Sequence, residues 1–202
     1  MKYLKPFGII FLILFLDQFL KIYIKTHFLI GEQISVAGNW FYLHFTENNG
    51  MAFGLELAGN TGKLMLSSFR IIAIGVLGYI LIKLIKKNED KLMILSLSMI
   101  FAGALGNIID SCFYGIIFND SYNNVATLFP AEGGYSSFLY GRVVDMLYFP
   151  IIEGHFPTWF PFWAGESFEF FRPVFNLADA SISSGVGLML LFQKRFFSES
   201  KQ

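Results

Sequence analysis

Four apolar stretches, at about 7–25, 65–84, 92–112 and 174–193, constrain this chain more than any other feature. Each has the roughly 20 residues that a helix needs to cross the hydrocarbon of a bilayer. Backbone N–H and C=O groups find no water there, so such a segment must satisfy them internally, as helix. The expected fold class is therefore membrane α-helical, with four transmembrane helices. Composition agrees: of 202 residues, 54% are hydrophobic and 15% charged, too apolar for an ordinary soluble domain. One polytopic membrane domain over residues 1–202 is expected, and no internal repeat is evident.

Several function classes drop out early. The 15 basic and 15 acidic residues cancel, so no basic surface for nucleic acid is implied. The single cysteine, Cys112, rules out an intrachain disulfide and a multi-cysteine metal site. His27, His44 and His155 are widely spaced, with no His-Glu-x-x-His, and no Gly-x-x-x-x-Gly-Lys-Ser/Thr occurs. Neither a metal nor another cofactor is expected. At the N-terminus, Lys2 and Lys5 before Phe7–Leu16 have the look of a secretory signal. The sequence that follows, Asp17-Gln-Phe-Leu-Lys21-Ile-Tyr-Ile-Lys25, offers no small-x-small cleavage site, so an uncleaved first span is expected.

Orientation comes from the basic residues. Lys2 and Lys5 precede the first span; Lys83, Lys86, Lys87 and Lys91 crowd the link between the second and third; Lys194, Arg195 and Lys201 follow the fourth. With four spans these places share one side, so both termini are expected in the cytoplasm and the two long connections outside. Leu92 to Asp110 covers roughly 27 Å of helix, which brings Asp110 to the outer edge of the hydrocarbon. Asp179, about five residues into the descending fourth span, is expected some 6–8 Å below that edge. Asp145 ends the second outer connection. In the connections, Trp40-Phe-Tyr-Leu-His-Phe and the turn Asn48-Asn49-Gly50 predict a small extracytoplasmic β-structure. Residues 113–140 read as a polar loop. Residues 147–174, rich in aromatics and prolines, read as an interfacial insertion.

Acids in apolar sequence are costly and are rarely kept without a partner or a task. Val143-Val144 precede Asp145 and Leu177-Ala178 precede Asp179. Two carboxyls in such surroundings, at one depth, share a proton and activate water. The alternative is that they cap helix ends. Asn176 and Asp179 share a helix face, as do Asn107 and Asp110, and either asparagine is placed to orient an acid or to bond between helices. Asp17 and Lys21, at i and i+4, read as a structural ion pair, with Asp17 near the membrane midplane. Two rival functions stand beside hydrolysis. One is a transporter using intramembrane acids, against which the acids cluster at one surface and no inverted repeat appears. The other is a non-catalytic membrane scaffold.

Five blocks in order then resemble one family, the bacterial lipoprotein signal peptidases (signal peptidase II). They are Asp17-Gln-x-x-Lys21, Asn48-Asn-Gly50-Met-Ala52-Phe53-Gly54, Gly106-Asn107-x-x-Asp110, Val143-Val144-Asp145 and Phe175-Asn176-x-Ala178-Asp179. The resemblance implies an inner-membrane aspartic endopeptidase with Asp145 and Asp179 as its catalytic pair. Asp17, Lys21, Asn48, Gly50, Asn107, Asp110 and Asn176 fall on the family's other polar motif positions. It implies a diacylglyceryl-modified prolipoprotein as substrate, cut just before its lipidated cysteine, and inhibition by globomycin-type cyclic peptides. A monomer among membrane lipids is expected. The implied architecture is four helices, an extracytoplasmic β-cradle and a periplasmic helix. Three positions depart from the pattern: Ser111 stands where the family has Arg, with Arg142 and Arg70 as candidate replacements; Met51 replaces the commoner Ala; and the insertions around 113–140 and 150–172 are long.

Overall fold

The computed structural model describes residues 2–50, 59–150, 152–170 and 173–197. In chain order the elements are α1 (Leu4–His27), β1 (Gln33–Ala37), β2 (Phe41–Asn48), α2 (Gly59–Lys87) and α3 (Lys91–Ile109). A π-helical turn (Asp110–Tyr114) and the short α4 (Gly115–Ile117) continue α3. Then come β3 (Val143–Tyr148), β4 (Ile152–His155), β5 (Ser167–Phe170), β6 (Val174–Phe175), α5 (Leu177–Leu191) and α6 (Gln193–Phe197).

Among the described residues, three helices are long and apolar enough to cross a membrane: Leu4–His27, Thr61–Lys87 and Lys91–Ile117. The fourth expected span is shorter, an apolar helix over Leu177–Leu191. Val174 and Phe175, as apolar as the helix itself, pair with β3 instead, and Asn176 caps the start. Apolar side chains cover the outside of the bundle. Phe11, Phe15 and Phe19 stack along α1, and Phe69, Ile72 and Tyr79 stand out from α2, as helices solvated by lipid require.

α3 is the central helix, packed on α1, α2 and α5. Its closest partner is α5: a methyl group at Gly103 would sit 2.2 Å from the Ala178 carbonyl oxygen, so only glycine lets the two backbones meet there. At one end of the bundle Asp90 caps α3 by accepting from Leu92 and Met93 N–H. Arg195 of α6 donates to the same carboxylate at 2.6 and 2.9 Å, and Lys2 donates to the Lys86 carbonyl. The three basic places of the sequence thus meet at one end.

The opposite end carries an antiparallel sheet of order β1-β2-β3-β6, the β-structure expected around residues 38–50. Thr46 faces Asp145 and Asn48 faces Val143 across β2 and β3, after a bulge between Leu43 and Thr46. Phe45, Val144 and Met146 pack beneath it on Ile24, Phe28, Tyr114 and Phe118, which fixes the sheet to the ends of α1 and α3. The aromatic insertion, read from the sequence as interfacial, contains a second small sheet, β4 with β5. Prolines break helical hydrogen bonding here, and Phe156, Phe160 and Trp163 cluster at 5.2–6.0 Å between ring centroids beside the hairpin. Residues 118–142 form a loop, with one bridge between Phe118 and Leu128. Met51 and the Ala52-Phe53-Gly54 part of its block lie outside the described residues.

Candidate active site

The acids converge where the sheet meets the first turn of α5. Asp145 projects from β3, 6% exposed, and accepts from Asn48 Nδ2 on Oδ2 at 2.5 Å and from Asn176 Nδ2 on Oδ1 at 2.7 Å. Asp179 is the third residue of α5. Asn176 and Asp179 form a capping box: Asp179 N–H donates to Asn176 Oδ1 at 2.9 Å, and Asp179 Oδ2 accepts from Asn176 N–H at 3.4 Å. One fully buried asparagine therefore bonds both carboxylate residues. Asp179 lies in the first turn of its helix and not five residues into it, because α5 starts at Leu177.

Asn107 of α3 completes the frame. Its Nδ2 donates to Asp179 Oδ1 at 2.7 Å, and its Oδ1 accepts from Asn176 Nδ2 and from Lys21 Nζ. Behind it, Lys21 Nζ lies 2.9 Å from Asp17 and 2.7 Å from Asp110, with all three side chains at most 1% exposed. The two-residue ion pair expected for Asp17 is in fact a three-residue cluster. Asp17 Oδ1 also accepts from Ala178 N–H at 2.9 Å, so it stands at the first turn of α5. Asp110 accepts from Gln18 Nε2 at 2.9 Å and from Val144 N–H at 3.5 Å, tying α3 to α1 and β3.

Gln18 stood in the first motif block with no role assigned to it. It donates to Asp17, Asp110 and the Gly106 carbonyl while its Oε1 accepts from Tyr114. Its place between Asp17 and Lys21 in that block was the available signal. Ser111 turns its hydroxyl back to the Asn107 carbonyl, as a buried serine in a helix does. Arg142 does not join the two acids. It lies 2.9 Å from Glu47 and 2.9 Å from Asp120 and stacks on Tyr135 at 4.4 Å, where Lys25 also pairs with Glu47. That second cluster supports the sheet. Arg70 does reach the site, through the Gly50 carbonyl.

Electrostatics separate Asp145 from an ordinary carboxylate. Burial, reinforced by repulsion from Asp179, pushes its pKa from 3.8 to about 7. The hydrogen bonds from Asn176 and Asn48 and the charge of Lys21 oppose that rise without cancelling it. A carboxyl that keeps its proton near neutrality, beside a second acid tied to the same asparagine, is the arrangement of an acid–base pair.

A family profile described as "Signal peptidase (SPase) II" matches residues 9–195. The chain belongs to the signal peptidase II family. The family consists of aspartic peptidases that remove signal peptides from prolipoproteins. Curated relatives of signal peptidase II carry the name lipoprotein signal peptidase. The Porphyromonas gingivalis protein is 54% identical over 192 residues, 95% of this chain and 83% of its own length. That of Amoebophilus asiaticus is 37% identical over 205 residues, 100% of this chain and 82% of its own. Two solved structures of bacterial membrane enzymes share the fold: TM-score 0.61 at 24% identity, covering 98% and 93% of the two chains, and TM-score 0.60 at 25%, covering 94% and 92%. This signal peptidase II family member is thus a multi-pass membrane protein with a small antiparallel sheet.

Proposed function

We propose that this peptidase cuts diacylglyceryl-modified prolipoproteins just before the lipidated cysteine, with Asp145 and Asp179 as its catalytic dyad. The observation that carries the reading is the buried Asn176, which bonds the Asp145 carboxyl and the Asp179 backbone at once. The substrate's lipid lies among the helices and its scissile peptide lies across the two acids, where apolar spans give way to the sheet. Asp145 holds the resting proton and donates a hydrogen bond to the scissile carbonyl oxygen, while the Asp179 carboxylate takes a proton from water as its oxygen attacks the carbon. Asp179 then passes that proton to the amide nitrogen and the C–N bond breaks. The products are a carboxyl on the signal peptide and a free amine on the lipidated cysteine. Asp145 has kept its proton and Asp179 is again a carboxylate, so the dyad ends singly protonated, as it began.

In this reading α5 is a fourth span, both termini lie in the cytoplasm and the dyad lies at the outer face of the bacterial inner membrane. The meeting of the N-terminus, the α2–α3 turn and α6 at the basic end supports that orientation. The protein acts as a monomer, and a globomycin-type peptide occupies the dyad as a substrate mimic. Incubation of purified protein with a lipidated precursor peptide, and with the same peptide lacking lipid, tests the reading by mass of the products. Cleavage before the modified cysteine, dependent on lipid and blocked by globomycin, is expected; cutting elsewhere, or equal cutting without lipid, contradicts it.

A further inference from the structure

Arg70 lies within the apolar part of α2, roughly 13 Å along the helix from Thr61. A cation at such depth faces protein and marks a task. Its neighbours Phe69 and Ile71 are 68% and 43% exposed, whereas Arg70 turns inward and donates to the Gly50 carbonyl oxygen. Gly50 has φ +87°, a conformation that favours glycine, and its N–H donates to Asn48 Oδ1 at 2.5 Å. A methyl group on Gly50 would come 2.5 Å from Arg70 Nη1, so the guanidinium fills the space that the missing side chain leaves. Asn48 in turn donates to Asp145. The contacts form one path, from Arg70 through Gly50 and Asn48 to Asp145. The Arg70 charge also interacts with Asp179 and Asp110.

We propose that Arg70 is a positioning residue for the dyad: it pins the Asn48–Gly50 turn against Asp145 and holds a positive charge at that turn. The inference rests on the dyad assigned above. Among the described residues, six other charged or titratable groups face the site or its turn: Asp145 from β3, Asp179 from α5, Asp17 and Lys21 from α1, Asp110 at the end of α3, and Lys63 of α2, which donates to Asn49. Lys21 is paired with Asp17 and Asp110, and Arg70 adds a second positive charge that favours the singly ionised dyad. Lysine supplies the charge without the planar fork, and glutamine supplies a donor without the charge.

The test is the pH–rate profile of precursor cleavage by Arg70→Lys, Arg70→Gln and Gly50→Ala. Arg70→Gln is expected to lower kcat at least tenfold and to move the acid limb upward by about one pH unit, the low end of what an adjacent opposite charge does. Arg70→Lys should keep the acid limb in place and lose part of kcat. Gly50→Ala, which displaces the guanidinium, should lower kcat and shift the limb the same way as Arg70→Gln. An unmoved acid limb in Arg70→Gln overturns the inference, whether kcat falls or not. If Arg70→Gln does not insert, a wild-type kcat in Arg70→Lys, or an unmoved limb in Gly50→Ala, overturns it instead. Failure of the wild-type protein to cleave at all would strike the dyad assignment and is scored separately.

Discussion

Asn176 and Lys21 are the two side chains on which the site's polar network turns, and they act differently. Asn176 orients; Lys21 neutralises. Replacing Asn176 with Ala removes a helix cap, worth about 1 kcal/mol, and the bond to Asp145 as well. Its cleavage rate should therefore fall far more than its stability, which a parallel measurement of kcat and Tm would show. Lys21→Met leaves Asp17 and Asp110 buried without their cation, so a loss of about 3–5 kcal/mol is expected in detergent unfolding. Asp145 carries the opposite signature. Its folded pKa of about 7 lies above the ordinary 3.8, so the stability it contributes is full below about pH 4 and is lost as pH rises through 7. The Tm of wild type relative to Asp145→Asn should drop between pH 4 and pH 8. A flat difference would mean that the carboxyl is not held protonated by the fold.

At the scale of elements, the contact between α3 and α5 holds the site together, because it brings Asn107 to Asp179. Gly103→Val puts side-chain atoms against the Ala178 carbonyl and should part the two helices. Loss of cleavage with a lowered Tm, milder in Gly103→Ala than in Gly103→Val, is the expected order. The first three helices were legible from the length of their apolar runs alone. The start of α5 was not, since Val174 and Phe175 suit helix and strand equally, and the Asn176–Asp179 capping box marks the boundary only once sought. In the aromatic insertion, Ser167-Phe-Glu-Phe alternates as a strand should, but surrounding aromatics mask the period. The five motif blocks pointed to the network around Asp145 and Asp179. They did not point to the pairing of Lys25 with Glu47 or of Arg142 with Asp120, contacts that only the folded topology creates.

Across the whole molecule, charge is sorted in one direction. The end made by Lys2, Lys86 and the Asp90–Arg195 pair is basic, and the sheet and the dyad lie at the other. Single cysteines placed in a Cys112→Ser background test this. Ser35→Cys should react with an impermeant thiol reagent added outside intact cells, and Asn88→Cys only after permeabilisation; the reverse pattern would invert the protein. The most direct test of the account is cleavage of a lipid-modified precursor by Asp145→Asn and Asp179→Asn, each first shown to be inserted and folded. Both should process less than about one hundredth as fast as wild type, a loss in the range that removal of an acid–base partner causes. Near-normal processing by either would take that aspartate out of the reaction.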